Sequence, residues 1–181
     1  MSHDHRRPVF GRIGTFRARL SYGGWAERIV SLWALGRGLT VVPLSAVPAD
    51  DACGPRISTP DGVHVAPDLL MLGLGGSHFV EVKRKSAPTA HRISGTICTG
   101  IERRDLDRYL AVAKATKTPV DLMLVHDTGG AELLGGDVER LASLIHHEAG
   151  GMVFWDVDEL DVLAEADEMD ELRAAMAGSR A

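Results

Sequence analysis

The chain has 181 residues, 45% of them hydrophobic and 25% charged, the size and balance of a single compact domain built around one core. No segment approaches the roughly 18 apolar residues of a membrane span, and the arginine-bearing start (Arg6, Arg7, Arg12, Arg17, Arg19) lacks the apolar stretch of a secretion signal, so a cytoplasmic protein is expected. The net charge of -5 argues against a nucleic-acid partner until it is divided: residues 1–82 hold 8 basic and 7 acidic side chains, residues 83–117 hold 9 and 3, and residues 118–181 hold 3 and 15.

In chain order, Trp25, Ile29, Leu32 and Trp33 recur at helical spacing, so Tyr22 to Leu35 is predicted as a helix, with Ser21 as its cap and Gly36 and Gly38 as its end. Leu39 to Leu44 is a short strand, and Ser45 to Pro60, rich in Pro, Asp and Gly, is a loop or irregular insertion. Asp68 to Leu72 and His78 to Arg84 are apolar runs separated by Gly73, Leu74, Gly75, Gly76 and Ser77, which predicts a hairpin. Lys85 to Gly100 has no clear period and is expected to be a loop.

A second helix is predicted over Glu102 to Thr116 from the stripe Leu106, Tyr109, Leu110 and Ala113, and Pro119 separates it from a strand over Val120 to His126. Gly129, Gly130, Gly135 and Gly136 flank a further loop. Beyond it the expectation is a helix from Asp137 to Glu148 capped by Asp137, a strand from Met152 to Val157 and an acidic helix from Asp158 to Ala177. The order implies an α/β fold with a mixed central β-sheet flanked by helices: a core over about 22–126 followed by a C-terminal helical extension over about 127–181.

The hairpin carries the chemistry. A turn centred between Leu74 and Gly75 pairs residues whose numbers sum to 149, which sets Asp68 opposite Glu81 with β-carbons roughly 5 Å apart. Strand alternation then puts Glu81 and Lys83 on Asp68's face and turns Val80 and Val82 into the core. Two hard carboxylate ligands suit Mg²⁺, which neutralises charge developing on a phosphate and acidifies a bound water, and Lys83 would orient or help deprotonate that water. The bland alternative is an exposed strand on which Glu81 and Lys83 form an ordinary ion pair.

Pro67-Asp68 followed by Glu81-Val82-Lys83 resembles the motif of the PD-(D/E)XK nuclease superfamily, whose members include restriction endonucleases, Holliday junction resolvases and phage recombination exonucleases. The resemblance covers about residues 22–126. It implies a restriction endonuclease-like core in αβββαβ order, and metal held by Asp68, Glu81 and the carbonyl of Val82. It also implies Lys83 beside the attacking water, and a further glutamate on the first helix, where Glu27 stands. Mg²⁺ is the implied cofactor, with Mn²⁺ able to substitute, DNA the implied partner and a homodimer a family-based expectation.

Arg84, Lys85, Arg92, Arg103 and Arg104 are candidate phosphate contacts within the basic middle segment, although charge alone leaves a solvated helix face equally open. Tyr109 is expected to be a core tyrosine with a wet hydroxyl. His146 and His147 are expected on a helix, about 100° apart and poorly placed to share a metal. Cys53 and Cys98 lie far apart and outside any C-x-x-C pattern, so neither a zinc site nor a disulfide framework is suggested. The reading is a magnesium-dependent deoxyribonuclease. The alternatives are a silent nucleic-acid-binding module of the same fold, a nuclease acting on RNA, or a hydrolase of other phosphate esters.

Overall fold

Helix α1 (Trp25–Gly36) is buried on nearly all sides, with Ala26, Ile29, Val30, Leu32, Trp33 and Ala34 all inaccessible. The computed structural model describes residues 24–44, 55–127 and 133–178, so the expected cap Ser21 lies outside the described residues. Gly24 occupies the N-cap, and its N–H donates to Glu27 Oε1 at 3.2 Å.

Ten of the strands form two larger sheets. The main one runs β1-β4-β5-β8-β9-β12, from β1 (Thr40–Pro43), β4 (Leu69–Gly73), β5 (Gly76–Lys85), β8 (Val120–His126), β9 (Leu133–Asp137) and β12 (Asp161–Ala164). All its neighbours are antiparallel except β5 and β8, which are parallel and joined through helix α2 (Arg103–Thr116), the crossover that parallel strands require. Together α1, β1, β4, β5, α2 and β8 give the expected αβββαβ order.

A second sheet, β10-β11-β7-β6, is built from β6 (Thr89–Ala90), β7 (Ile97–Glu102), β10 (His147–Ala149) and β11 (Met152–Asp156). A two-stranded ribbon of β2 (Arg56–Thr59) and β3 (Gly62–Val65) leads into β4. Two cores lie on opposite faces of the main sheet. One joins α1 and helix α4 (Ala166–Ala177) to Leu69, Met71, Val80, Val82, Met123 and Val125. The other joins α2 and helix α3 (Val138–Ser143) to Leu122, Leu124, Ile101, Val153 and Trp155.

The hairpin register is the expected one: Leu69 pairs with Val80, Leu70 with Phe79 and Gly73 with Gly76. Asp137 caps α3, its Oδ1 accepting from the N–H groups of Glu139 and Arg140 at 2.9 and 3.1 Å.

Elsewhere the structure corrects the expectations. Lys85 to Gly100 is not all loop, because β7 is buried on both faces and so shows no alternation. Gly100 sits within it because a Cβ there would lie 2.2 Å from the Val153 carbonyl and 2.8 Å from the Phe154 ring. Gly135 and Gly136 likewise belong to a strand: a Cβ at Gly135 would come within 2.3 Å of the Leu122 carbonyl, so this glycine permits close strand approach rather than a turn.

The helix expected to reach Glu148 stops at Ser143, and His147–Ala149 instead pairs with Met152–Phe154 around Gly150 and Gly151, both at positive φ. The last helix begins only at Ala166, because Asp161–Ala164 completes the main sheet against β9. The C-terminal extension is therefore not mainly helical; it supplies two strands to each large sheet. Within the expected loop Ser45 to Pro60, residues 45–54 lie outside the described residues and Arg56–Thr59 forms half of the β2–β3 ribbon. Among the described residues no helix is long and apolar enough to cross a membrane.

Candidate active site

β4 begins at Leu69, and Asp68 immediately precedes it with its backbone carbonyl accepting from Leu44 N–H at 2.8 Å. Its side chain turns back onto β5, where Oδ2 accepts from Val82 N–H at 2.9 Å. A strand residue directs its N–H and C=O to the same edge, so the Val82 carbonyl also leaves on the side that Asp68 occupies. Alternation in β5 sends Val80 and Val82 into the α1/α4 core and places Glu81 and Lys83 under α2.

There α2 completes the cluster. Tyr109 is 8% exposed and its hydroxyl donates to Glu81 Oε1 at 2.7 Å; Lys83 Nζ lies 2.9 Å from the same oxygen and 3.4 Å from Asp105 Oδ2. The expected wet hydroxyl of Tyr109 is thus a buried donor that fixes Glu81. These groups line a cleft of about 290 Å³ with Pro55, Val65, Ala66, Pro67, Asp68 and Arg108.

Asp68, Glu81 and Asp105 face this space together, with Glu27 near enough to act on Asp68 through its charge. The carboxylates outnumber the cations. Burial, then the charge of Glu81, pushes the Asp68 carboxyl up to about 7, against the opposing effects of Val82 N–H and Lys83. Burial works against the Lys83 ammonium, yet the Glu81 and Asp105 carboxylates outweigh it and raise its pKa. Lys85, on the same face two residues on, is lowered by burial and by Lys83. Burial and Glu81 both raise Tyr109, so its hydroxyl remains a proton donor.

This donor set fits a hard divalent cation: oxygen ligands from two carboxylates and a carbonyl, in a pocket whose excess negative charge is left partly protonated. Asp68, Glu81, Lys83 and Val82 are brought together as the sequence places them. Glu27 stands at the start of α1, where its Oε1 accepts from Gly24 N–H.

The basic candidates divide. Lys85 shares the face of Lys83, whereas Arg84 points to the opposite side of the sheet, where its Nε lies 2.8 Å from Asp127 Oδ1 and its guanidinium covers the Trp25 ring at 5.0 Å. Arg92 is exposed in the turn between β6 and β7. At the start of α2, Arg103 bonds Asp107 at 3.0 Å and Glu148 at 2.6 Å, and Arg104 pairs with Glu102. Sequence reasoning missed Asp105 and Arg108. The signal was available in helical spacing, since Asp105, Arg108 and Tyr109 share the face of α2 above Glu81.

No family model matches the chain, and no curated protein matches it. Among solved structures it is similar to Hjc, a Holliday junction resolvase from Archaeoglobus fulgidus, at 10% identity and a TM-score of 0.48, over 74% of this chain and 87% of that one. By its own element order, αβββαβ on a mixed central sheet flanked by helices, the chain has the α/β architecture expected from its sequence.

Proposed function

We propose that this chain is a metal-dependent deoxyribonuclease of the PD-(D/E)XK type, hydrolysing phosphodiester bonds in the cleft between the β4–β5 hairpin and α2. The observation that carries the reading is the convergence of Asp68, Glu81 and Lys83 at one spot with too little cationic charge to balance them. Asp68, Glu81 Oε2, which neither Tyr109 nor Lys83 uses, and the Val82 carbonyl would hold Mg²⁺ or Mn²⁺. The ion, when bound, supplies charge neutralisation on the phosphate and a more acidic water.

The protein's own groups do the rest. Tyr109 holds Glu81 in place through its hydroxyl and cannot itself accept a proton near neutral pH. Lys83, protonated and anchored between Glu81 and Asp105, positions the attacking water and offsets negative charge that grows on the phosphate. Arg108 and Lys85 lie at the cleft mouth and along the Lys83 face, where they contact the flanking backbone.

Purified protein is incubated with plasmid, linear, branched and single-stranded DNA and with RNA, each with Mg²⁺ or with EDTA. Cleavage of DNA that needs Mg²⁺ and is lost in Asp68→Asn and Glu81→Gln is the expected result. Binding without cleavage in any metal would replace this reading with the silent binding module, and cleavage of RNA alone would replace the substrate.

A further inference from the structure

Away from the cleft, three imidazoles meet on the second sheet. His91 opens the turn between β6 and β7, a turn closed by His91 N–H to Thr96 O at 2.7 Å and Gly95 N–H to His91 O at 2.8 Å. His147 opens β10 and His146 immediately precedes it, its N–H donating to Phe154 O at 2.8 Å. The sequence pattern places these two on a helix; in the strand they come together with a residue more than fifty positions earlier.

Packing sets the arrangement. The Phe154 ring occupies space that Gly100 leaves by lacking a side chain, and His147 stacks on Phe154 at 4.5 Å and 5°. His91 stacks on the other side of His147 at 4.0 Å and 29°, and His146 stands edge-on to both, 5.4 Å from His147 and 5.7 Å from His91. One ring nitrogen from each of the three lies within 4.8 Å of the others. His147 Nδ1 is buried with no hydrogen-bond partner, which in a polar cluster calls for a ligand. His91 Nδ1 is engaged by Ser94, accepting from its N–H at 3.4 Å and lying 2.9 Å from its Oγ, so the turn itself orients the ring.

We infer that His91, His146 and His147 form a second metal site, for one transition-metal ion of the zinc class, separate from the carboxylate cleft. Three neutral imidazoles without a carboxylate suit Zn²⁺, Ni²⁺ or Co²⁺ and disfavour Mg²⁺. Tetrahedral bonds of 2.0–2.1 Å put ligand nitrogens about 3.4 Å apart, and the three ring nitrogens already lie within 4.8 Å of one another, with His146 exposed. A fourth position is left for water or a small anion. The ion ties the turn that carries Arg92 to the strand whose Glu148 holds Arg103, and so fixes two basic side chains relative to one another.

The test uses the full chain carrying Asp68→Asn and Glu81→Gln, so that the cleft does not compete, and His3→Ala and His5→Ala, so that the N-terminal histidines do not. Stripped of metal and titrated with Zn²⁺ by calorimetry, and with Co²⁺ followed by its visible absorption, this protein takes up one equivalent that millimolar Mg²⁺ does not displace. Its melting temperature rises with Zn²⁺. Adding His146→Ala, an exposed residue whose loss does not endanger folding, or His147→Ala abolishes uptake, and Ser94→Ala weakens it about 10- to 100-fold. No saturable uptake, or uptake unchanged by His146→Ala, would overturn the inference and leave the cluster as aromatic packing.

Discussion

Glu81 Oε1 receives both the Tyr109 hydroxyl and the Lys83 ammonium, while among the described residues the Asp68 carboxylate receives the Val82 backbone N–H, and this difference sets how each residue responds to substitution. A lysine acting in the transition state is expected to matter far more for rate than for binding. Lys83→Ala should therefore lower the single-turnover cleavage rate by orders of magnitude while leaving metal-free DNA affinity within a few-fold, and Lys83→Arg should restore little because the guanidinium is bulkier and planar. Rates at saturating enzyme on both variants check this; normal cleavage by Lys83→Ala removes Lys83 from the chemistry.

For Asp68 the folded carboxyl titrates near 7 and the unfolded one at 3.8, so the metal-free fold binds the extra proton more tightly than the unfolded chain. Its contribution to stability is whole below about pH 4 and is lost as pH rises through about 7. Asp68→Asn should consequently match the wild type in acid and exceed it above pH 7, by on the order of 2 kcal/mol in EDTA, with water in the open cleft reducing the full linkage. Parallel melting profiles of the two proteins across this pH range would mean that the carboxyl is not under strain. Adding Mg²⁺ should stabilise only the wild type.

Among the elements, those with a repeating pattern or a fixed turn were legible from the residues alone. The β4–β5 register followed from one glycine-rich turn, and Val120–His126 from a run of apolar residues after Pro119. The proximity of Asp68, Glu81 and Lys83 in the candidate site was legible for the same reason, since it depends on that register. The strands β7 and β9 were not, because their glycines look like turn formers and serve instead as points of close approach. Nor did the sequence reveal that Asp105 and Tyr109 complete the site, since this required knowing which way α2 faces.

The two uses of glycine predict different costs. Gly135→Ala drives a methyl against the Leu122 carbonyl and should destabilise by about 3 kcal/mol, lowering Tm by about 6–12 °C. Gly75→Ala, with nothing near its Cβ and no positive φ, should change stability by less than about 0.5 kcal/mol. Equal Tm losses would contradict the assignment of Gly135 to close strand approach.

Over the whole molecule, charge is divided between a segment at +6 (residues 83–117) and an acidic C-terminal third, with 3 basic and 15 acidic side chains over residues 118–181. Ion pairs cross that divide: Arg103 bonds Glu148 and Arg84 bonds Asp127. Exposed pairs of this kind are worth at most about 1 kcal/mol, so a phosphate backbone can replace the carboxylates at little cost. Neutralising Arg103 and Arg104 together should weaken binding to all DNA sequences alike and flatten the salt dependence by up to about two units of slope. A loss confined to some sequences would point to base contacts, and an unchanged slope would return both arginines to the solvated face of α2.

The boundaries of the main sheet bear on how copies of this protein can meet. Among the described residues its outer strands are β1, four residues ending in Pro43, and β12, four residues carrying Asp161 and an irregular register between Val162 and Ala164. Shortness, a proline, a charge and a bulge are the features that stop one β-sheet from continuing into another. Self-association by strand addition is thereby discouraged at both ends, and two copies that pair would do so through helices, loops or the cleft-bearing face.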